Sequence, residues 1–287
     1  MSPTPLRLGL RENAAQFSLL VAVNAFVGAM VGLERSTLPI VGREDFGLHS
    51  STAVLSFIVA FGVAKALTNL AAGALAERAG RRRLLIAGWA IALPVPLLIA
   101  VAPSWGWIVA ANALLGINQG LAWSMTVVMK IDLVGPRRRG LALGLNESAG
   151  YGGVALAAGL SGWLAASFAA RDVLVVAGAL IAVIAFLLSV LFVRDTAAHV
   201  ALEQAKHHAG ADRAALPLRR AFAHATYREP ALRSCSQAGL VNNLNDALAW
   251  GLVPLFLAAH GAGIGDVAFV AALYPGVWSV AQIATGH

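Results

Sequence analysis

Residues 73–85 of the chain have the sequence GALAERAGRRRLL, a short stretch of glycine, acid and arginine between two long apolar runs. The apolar runs extend from Ser51 to Ala76 and from Leu84 to Val101. A helix that crosses a membrane needs about 20 apolar residues at a rise of 1.5 Å each. The pattern therefore predicts two membrane-spanning helices joined by a charged turn at one membrane surface.

The composition extends this prediction to the whole chain. Of the 287 residues, 59% are hydrophobic and only 12% are charged, whereas about a quarter of the residues of a typical soluble domain are charged. This excludes a cytosolic enzyme and a disordered chain. Cys235 is the only cysteine, which excludes an intrachain disulfide and a zinc site built from several thiolates.

Eight apolar windows reach the length of a membrane span, and the sequence thus predicts an all-α, polytopic membrane protein. The windows are Phe17 to Ile40, Ser51 to Ala76, Leu84 to Val101, Trp107 to Met129, Leu141 to Ala166, Val173 to Val193, Ser234 to Leu257 and Val267 to Gly286.

The basic residues between these windows predict the orientation, because short cytoplasmic loops are rich in Lys and Arg. One set of segments contains most of them, and the opposite set has only Arg43 and Arg171. The rich set consists of Arg7, Arg11, Arg78, Arg81, Arg82, Arg83, Lys130, Arg137, Arg138 and Arg139, followed by the basic residues of segment 194–233. We therefore expect a multi-pass protein of the inner (plasma) membrane with a cytoplasmic N-terminus, whose net charge of +7 reflects topology and not a nucleic-acid partner.

Segment 194–233 interrupts the apolar pattern and is expected to be a cytoplasmic linker. Within it, Thr196 to His208 has the composition of an amphipathic helix that lies on anionic lipid, and a solvated linker is the simpler alternative. An internal repeat follows the linker, since Leu70 to Gly73 align with Ile283 to Gly286. The last two windows therefore resemble a second start of the first two, as in transporters built from parallel repeats.

The stretch quoted first resembles the loop signature of the major facilitator superfamily, with Glu77 where Asp is usual. The signature lies between spans two and three on the cytoplasmic side, as it does here. The resemblance implies a loop that latches the two halves of a transporter in one conformation. The residues that match are Gly73, Glu77, Arg78, Gly80 and Arg81. Gly73 is expected to permit close helix packing, and Gly80 to turn the chain.

Two further stretches resemble the same family. NALLGINQGLAW in span four resembles an R-x-x-x-G-x-x-q-G pattern, with Asn112 at the position where Arg is common. GLNESAGYGG in span five resembles an exporter-type glycine signature, through Gly144, Gly150, Gly152 and Gly153. It lacks the usual Gly-Pro pair.

The family fold, twelve helices in two bundles, implies the domain organisation. We expect a six-helix bundle over 1–193, the linker over 194–233, and the first two helices of a second bundle over 234–287. Gly286 would open a second latch loop, and the sequence stops at His287, which indicates a six-plus-two form.

Ionisable residues within spans are candidates for function, because each costs about 2.5 to 3.5 kcal/mol at the bilayer centre. Asp246 is the first candidate for proton coupling and Glu34 the second, and Lys65, Glu147 and Arg35 also lie within spans. The alternative is that each charge is paired with a neighbour only so that its burial is tolerated.

Uncharged polar and aromatic residues fall on spans one, four and seven, which line the central cavity in this family. Asn and Gln present donors and acceptors to a solute, or else they bond between helices. With Arg35, the substrate-cavity candidates are Asn24, Asn118, Gln119, Trp123, Asn242, Asn243 and Trp250. Motifs for nucleotide binding, hydrolysis or metal binding do not occur, so we expect no enzyme activity, cofactor or metal site.

The sequence therefore predicts a secondary transporter that moves a small solute by alternating access, coupled to protons. Export of a drug-like or metabolite compound is the favoured direction. Uptake of a sugar or organic anion by proton symport is the alternative within the class. A non-transporting membrane fragment or scaffold is the alternative from another class. The expected partners are the solute, protons and the lipid bilayer.

Overall fold

The computed structural model describes residues 6–207 and 217–286, and the regular structure within them is entirely helical. Part of the predicted linker, including His208, and the terminal His287 lie outside the described residues. The helices are α1 (Ala14–Glu44), α2 (Ser51–Ala79), α3 (Arg81–Ala92), α4 (Pro94–Ala100), α5 (Trp105–Val134), α6 (Arg139–Ala165), α7 (Ala170–Leu191), α8 (Ala197–His207), α9 (Leu218–Ala223), α10 (Pro230–Ala247), α11 (Val253–Ala259) and α12 (Ile264–Thr285).

Each of the eight predicted windows is helical, which confirms an all-α polytopic membrane protein. Two windows are divided. The third is interrupted at Leu93, where Pro94 removes a backbone donor, and gives α3 and α4. The seventh passes through a wider π-helical turn at Leu248–Leu252, just before Pro254, and gives α10 and α11.

Length and hydropathy alone qualify five helices of the described residues to cross a membrane. They are Ala14–Glu44, Thr52–Ala79, Arg81–Ala100, Ala170–Leu191 and Gly265–Thr285. The remaining predicted spans carry more polar side chains: α5 alone contains Asn112, Asn118, Gln119 and Lys130. The need of a membrane span to be apolar does not account for the presence of these polar side chains.

The antiparallel helices bring most basic residues to one end of the molecule, which we call the basic end. There, Asn13 before α1 donates to the carbonyl of Leu133 at the end of α5, at 3.1 Å. Arg82 at the start of α3 donates to the carbonyl of Val193 after α7, at 2.7 Å. At the opposite end, the indole of Trp105 donates to the carbonyl of Ala53.

The first residues after α7 fold back onto the basic end. Thr196 donates to a carboxylate oxygen of Asp132 on α5, and the ring of His199 is 3.1 Å from the side-chain oxygen of Asn13. Glu203 forms an ion pair with Arg139 at the start of α6. Helix α8 therefore lies where a helix was predicted, but it binds to other helices of the protein and is more than a solvated connector.

Glycines allow α6 to pack closely against α1 on one side and α12 on another. A Cβ at Gly28 would overlap the carbonyl of Gly150, and one at Gly32 would overlap the carbonyl of Val154. The two α1 glycines form a G-x-x-x-G pair, which lets backbones approach within a membrane. Toward the basic end, a Cβ at Gly144 would overlap a backbone carbonyl of α12. Close helix packing thus accounts for the span-five glycines.

Candidate functional site

Asp246 on α10 lies at the meeting point of the first six spans and the last two. Its carboxylate accepts a hydrogen bond from the hydroxyl of Tyr151 on α6 at 3.0 Å and one from Tyr274 on α12 at 2.7 Å. The amide of Asn245 donates in turn to the Tyr274 hydroxyl, at 2.8 Å. Asp246 is the one residue of α10 that is buried, so the protein surrounds this carboxylate and leaves most of its helix exposed.

Aromatic rings surround this carboxylate. Tyr151 lies 6.0 Å from Trp123 on α5, 6.1 Å from Trp250 and 5.4 Å from Trp278 on α12, measured between ring centroids. The ammonium of Lys65 on α2 lies 5.5 Å from the centroid of Trp123, a cation–π distance. The predicted candidates Lys65, Trp123, Trp250 and Asp246 therefore lie around one aromatic cluster.

Glu147 is connected to the same cluster. Its Oε1 accepts from the indole of Trp123 at 3.2 Å and from the amide of Asn146 at 2.9 Å. Deeper toward the basic end, the hydroxyl of Thr126 donates to Asn24 at 2.8 Å, and the amide of Asn24 donates to the backbone carbonyl of Asn146 at 2.7 Å. The cluster thus continues as a buried hydrogen-bonded network between α1, α5 and α6.

Lys130 belongs to this network and not to a cytoplasmic loop, which corrects the sequence prediction. Its side chain is fully buried, and Nζ donates to the side-chain oxygen of Asn146 at 2.6 Å and to the carbonyl of Leu20 at 3.1 Å. Helix α5 continues to Val134, so position 130 lies within the helix and faces α1 and α6. The apolar window ended at Met129 because a charged residue followed it.

Glu34 and Arg35 lie nearer the opposite end of α1, and both are buried. Neither carboxylate oxygen of Glu34 has a hydrogen-bond partner among the described residues. The guanidinium of Arg35 lies over the rings of Phe57 and Phe61, at 5.1 and 4.7 Å, and its Nε and Nη1 atoms also have no partner there. A cavity of about 180 Å³ between α1, α6, α11 and α12 has Arg35 in its wall.

Several predicted cavity residues bond to the backbone of neighbouring helices. Asn118 donates to the carbonyl of Gly88 at 3.0 Å, and Gln119 donates to the carbonyl of Val27 at 2.7 Å. This is the interhelical alternative raised from the sequence, although one side-chain oxygen of each residue remains without a partner in the described part of the chain.

The two asparagines predicted on span seven lie away from the contacts of Asp246. Asn242 is partly exposed, and Asn243 is exposed and donates to the carbonyl of Gly239 on its own helix. Asn245, which the sequence did not single out, is the asparagine that joins the hydrogen bonds around Asp246.

The latch loop is attached to the rest of the protein through its second half. Gly80 has a φ of +86°, which only glycine adopts without strain, and it turns the chain from α2 into α3 as predicted. Arg81 forms an ion pair of 2.8 Å with Asp132 of α5. Glu77 and Arg78 are exposed, and a Cβ at Gly73 would meet no described atom within 4 Å. The close packing expected at Gly73 is therefore not found in the described part of the chain.

Four residues with the contacts described above were not predicted as site residues from the sequence, namely Tyr151, Tyr274, Lys130 and Asp132. A tyrosine in an apolar helix does not by itself indicate a functional site, because its ring packs among apolar groups as readily as its hydroxyl forms a hydrogen bond. The two charged residues did carry a signal, since they lie one helical turn or less beyond Met129 in a segment with no helix breaker before Gly135.

Comparison with known proteins gives a family match and a structural match. The family model described as Major Facilitator Superfamily matches residues 14–287. No curated protein matches the sequence. Among solved structures, a D-xylose-proton symporter has the same fold with a TM-score of 0.60 and 16% sequence identity, and the match covers 91% of this chain. The chain covers 66% of that structure, just under two thirds of its length.

Proposed function

Because the chain belongs to the Major Facilitator Superfamily, we propose that it serves proton-coupled secondary transport of a small solute by alternating access. The observation that carries this proposal is the position of Asp246, whose carboxylate bonds to Tyr151 from the first six spans and Tyr274 from the last two. A proton that binds or leaves here changes contacts between the two groups of helices. Such a group can link protonation to a change of conformation.

Two directions of transport have separate support. Export rests on the span-five glycines, but their packing against α1 and α12 is needed for the fold in either direction. Proton symport is the second candidate, since the similar solved structure is a D-xylose-proton symporter. A buried acid next to a buried cation at Glu34 and Arg35 also suits the binding of a proton together with a solute.

A pH-sensitive dye inside proteoliposomes that carry the full-length protein tests both proposals. Solutes are added outside, one class at a time. Symport would acidify the interior and proton antiport would make it alkaline. We expect Asp246→Asn to abolish the pH change, and Glu12→Gln, an exposed acid just before α1, to keep it. Solute flux that a protonophore does not alter would refute proton coupling. An absence of flux for every solute class would favour the non-transporting scaffold.

We also propose that the protein lies in the inner membrane with its basic end in the cytoplasm. With Cys235 replaced by Ser, a membrane-impermeant thiol reagent added outside intact cells should label Ser104→Cys, an exposed position at the opposite end. It should spare Arg137→Cys, an exposed position at the basic end. The reverse pattern would overturn this orientation.

A further inference from the structure

The guanidinium of Arg35 is a buried cation that forms no ion pair among the described residues. The three ion pairs of the described residues involve Arg81, Arg139 and Arg171, and all lie near the ends of the molecule. Arg35 is in none of them, although it is only 9% exposed. Buried donors without acceptors are costly, so a ligand that accepts from them would stabilise this site.

The surroundings of Arg35 determine which part of it remains available. Phe57 and Phe61 lie against the guanidinium at cation–π distances. The two rings contact the face of the guanidinium. They do not accept hydrogen bonds from its N–H groups, because those groups point outward in the guanidinium plane. Nε and Nη1 have no acceptor among the described residues. The guanidinium therefore has N–H donors in its plane that no described residue accepts from, and a carboxylate matches a pair of such donors.

The cavity beside Arg35 has the character of a site for a small amphipathic molecule. Its volume is about 180 Å³, and its walls include the apolar side chains of Pro39, Ile40 and Leu255. Arg43 also lines it, eight positions further along the same helix, together with Glu44. Anionic solutes that enter from the opposite end would pass Arg43 before they reach Arg35.

We propose that this cavity binds a small organic anion, whose carboxylate or similar acidic group is held by Arg35 and whose apolar part packs against α1 and α11. This inference names the substrate class of the transporter and rests on the function proposed above. A neutral solute would leave the Arg35 N–H donors without an anionic acceptor, and a cation would be repelled by the guanidinium.

The neighbouring acid gives this binding a link to protons. Glu34 is the adjacent residue, and its buried carboxylate has no hydrogen-bond partner among the described residues. A proton on Glu34 removes a negative charge from beside Arg35, so an anion binds more tightly when Glu34 is protonated. By reciprocity, the bound anion favours the proton.

Binding to the full-length protein in lipid nanodiscs tests the inference without any gradient. The probes are benzoate, benzylphosphonate, the neutral isostere benzamide, and benzylammonium. We expect at least one of the two anions to bind more tightly than benzamide, and benzylammonium not to bind. Arg35→Gln should weaken the binding of that anion by about tenfold or more, and Arg35→Lys by less, because Lys keeps the charge but loses the planar edge.

Arg137→Gln, an exposed arginine at the basic end, is the matched control and should bind the anion as the wild type does. Thermal unfolding of each variant checks that it is folded, and Arg35→Lys serves if Arg35→Gln is not. Equal affinity for benzamide, no binding of either anion, or unchanged binding in the Arg35 variants would overturn the inference. Proton-coupled flux of a neutral solute would refute the anionic substrate class and leave the proposed transport function standing. Anion binding without proton-linked flux would refute the proposed transport function and leave the anion site standing.

Discussion

Two ion pairs lie at the basic end, whereas the buried charges inside the helix bundle form none among the described residues. At the basic end, Arg81 contacts Asp132 at 2.8 Å, and Arg139 forms an ion pair with Glu203. Inside the bundle, Glu34 has no hydrogen-bond partner among the described residues, and Lys130 bonds to a neutral amide and a backbone carbonyl. The desolvation of a charge is greater within the bundle, where pairing would relieve it most. Charges that remain unpaired there are thus better explained by function than by stability.

Among the charges that form no ion pair, the largest expected effect is that of Glu34→Gln on coupling. Glutamine keeps the shape of the side chain but cannot release a proton. We expect proton-driven solute accumulation in proteoliposomes to fall by about tenfold or more, while exchange of the solute without a gradient continues. Glu12→Gln provides an exposed control and should change neither rate. Normal accumulation in Glu34→Gln would mean that this carboxylate is a structural group.

Removal of a paired charge at the basic end should act on stability instead. In the Arg81–Asp132 pair the side chains are 17% and 10% exposed. Exposed pairs contribute about 0 to 1 kcal/mol, and breaking a buried pair costs about 3 to 5 kcal/mol. We expect Asp132→Asn to lower the free energy of unfolding by about 2 kcal/mol, measured by denaturant titration in detergent.

The matched control at the same end is Glu203→Gln, because the Arg139 side chain in that pair is 45% exposed. Its loss should cost less than about 1 kcal/mol. A double-mutant cycle of Arg81→Gln with Asp132→Asn isolates the pair itself. If the cycle shows no coupling energy, the contact is not what holds the latch loop to α5.

Lys130→Met should have a smaller effect, of the opposite sign. Methionine fills nearly the same volume but has no charge to desolvate, so the free energy of unfolding should stay constant or rise by about 1 kcal/mol. Lys130→Ala is the control, because it leaves a cavity and should destabilise. A marked loss of stability in the methionine variant would show that Lys130 stabilises the fold, as the ion pairs of the basic end do.

The smallest effect concerns His199 on α8, outside the membrane spans. Burial lowers the pKa of His199 below its usual value of 6.5, and Asp132 opposes part of that shift. The unfolded chain therefore takes up a proton more readily than the folded protein. The contribution is fully present above about pH 6.5 and is lost as the pH falls below that value. Thermal unfolding between pH 8 and pH 5 should show a shallower pH dependence for His199→Gln than for the wild type.

The fold was largely predictable because a membrane protein must hide long apolar segments and place charged loops outside them. All eight windows are helical, and the basic loops meet at one end as expected. The breaks at Leu93 and Leu248–Leu252 were not predicted, although Pro94 and Pro254 mark them. Proline ends or bends a helix to a degree that depends on what packs around it.

The candidate site was predictable by residue type but not by position. Asp246, Lys65, Glu147 and Trp123 stood out because polar or bulky side chains interrupt apolar runs, and the fold brings them together. Asn118 bonds to the backbone of another helix, and the residue type alone could not distinguish that role from solute binding. The facing direction of a side chain depends on neighbouring helices that are far away in sequence.

The sequence by itself determined the all-helical membrane architecture, the family and the end at which the positive charges gather. These features depend on segment length, apolar content and the spacing of a short motif, all of which are local. Tertiary structure alone decided that Tyr151 and Tyr274 meet at Asp246, that Lys130 lies inside the bundle, and that Arg35 forms no ion pair with the described residues. Pairing of a charge depends on distances between residues of separate helices, and only packing sets those distances.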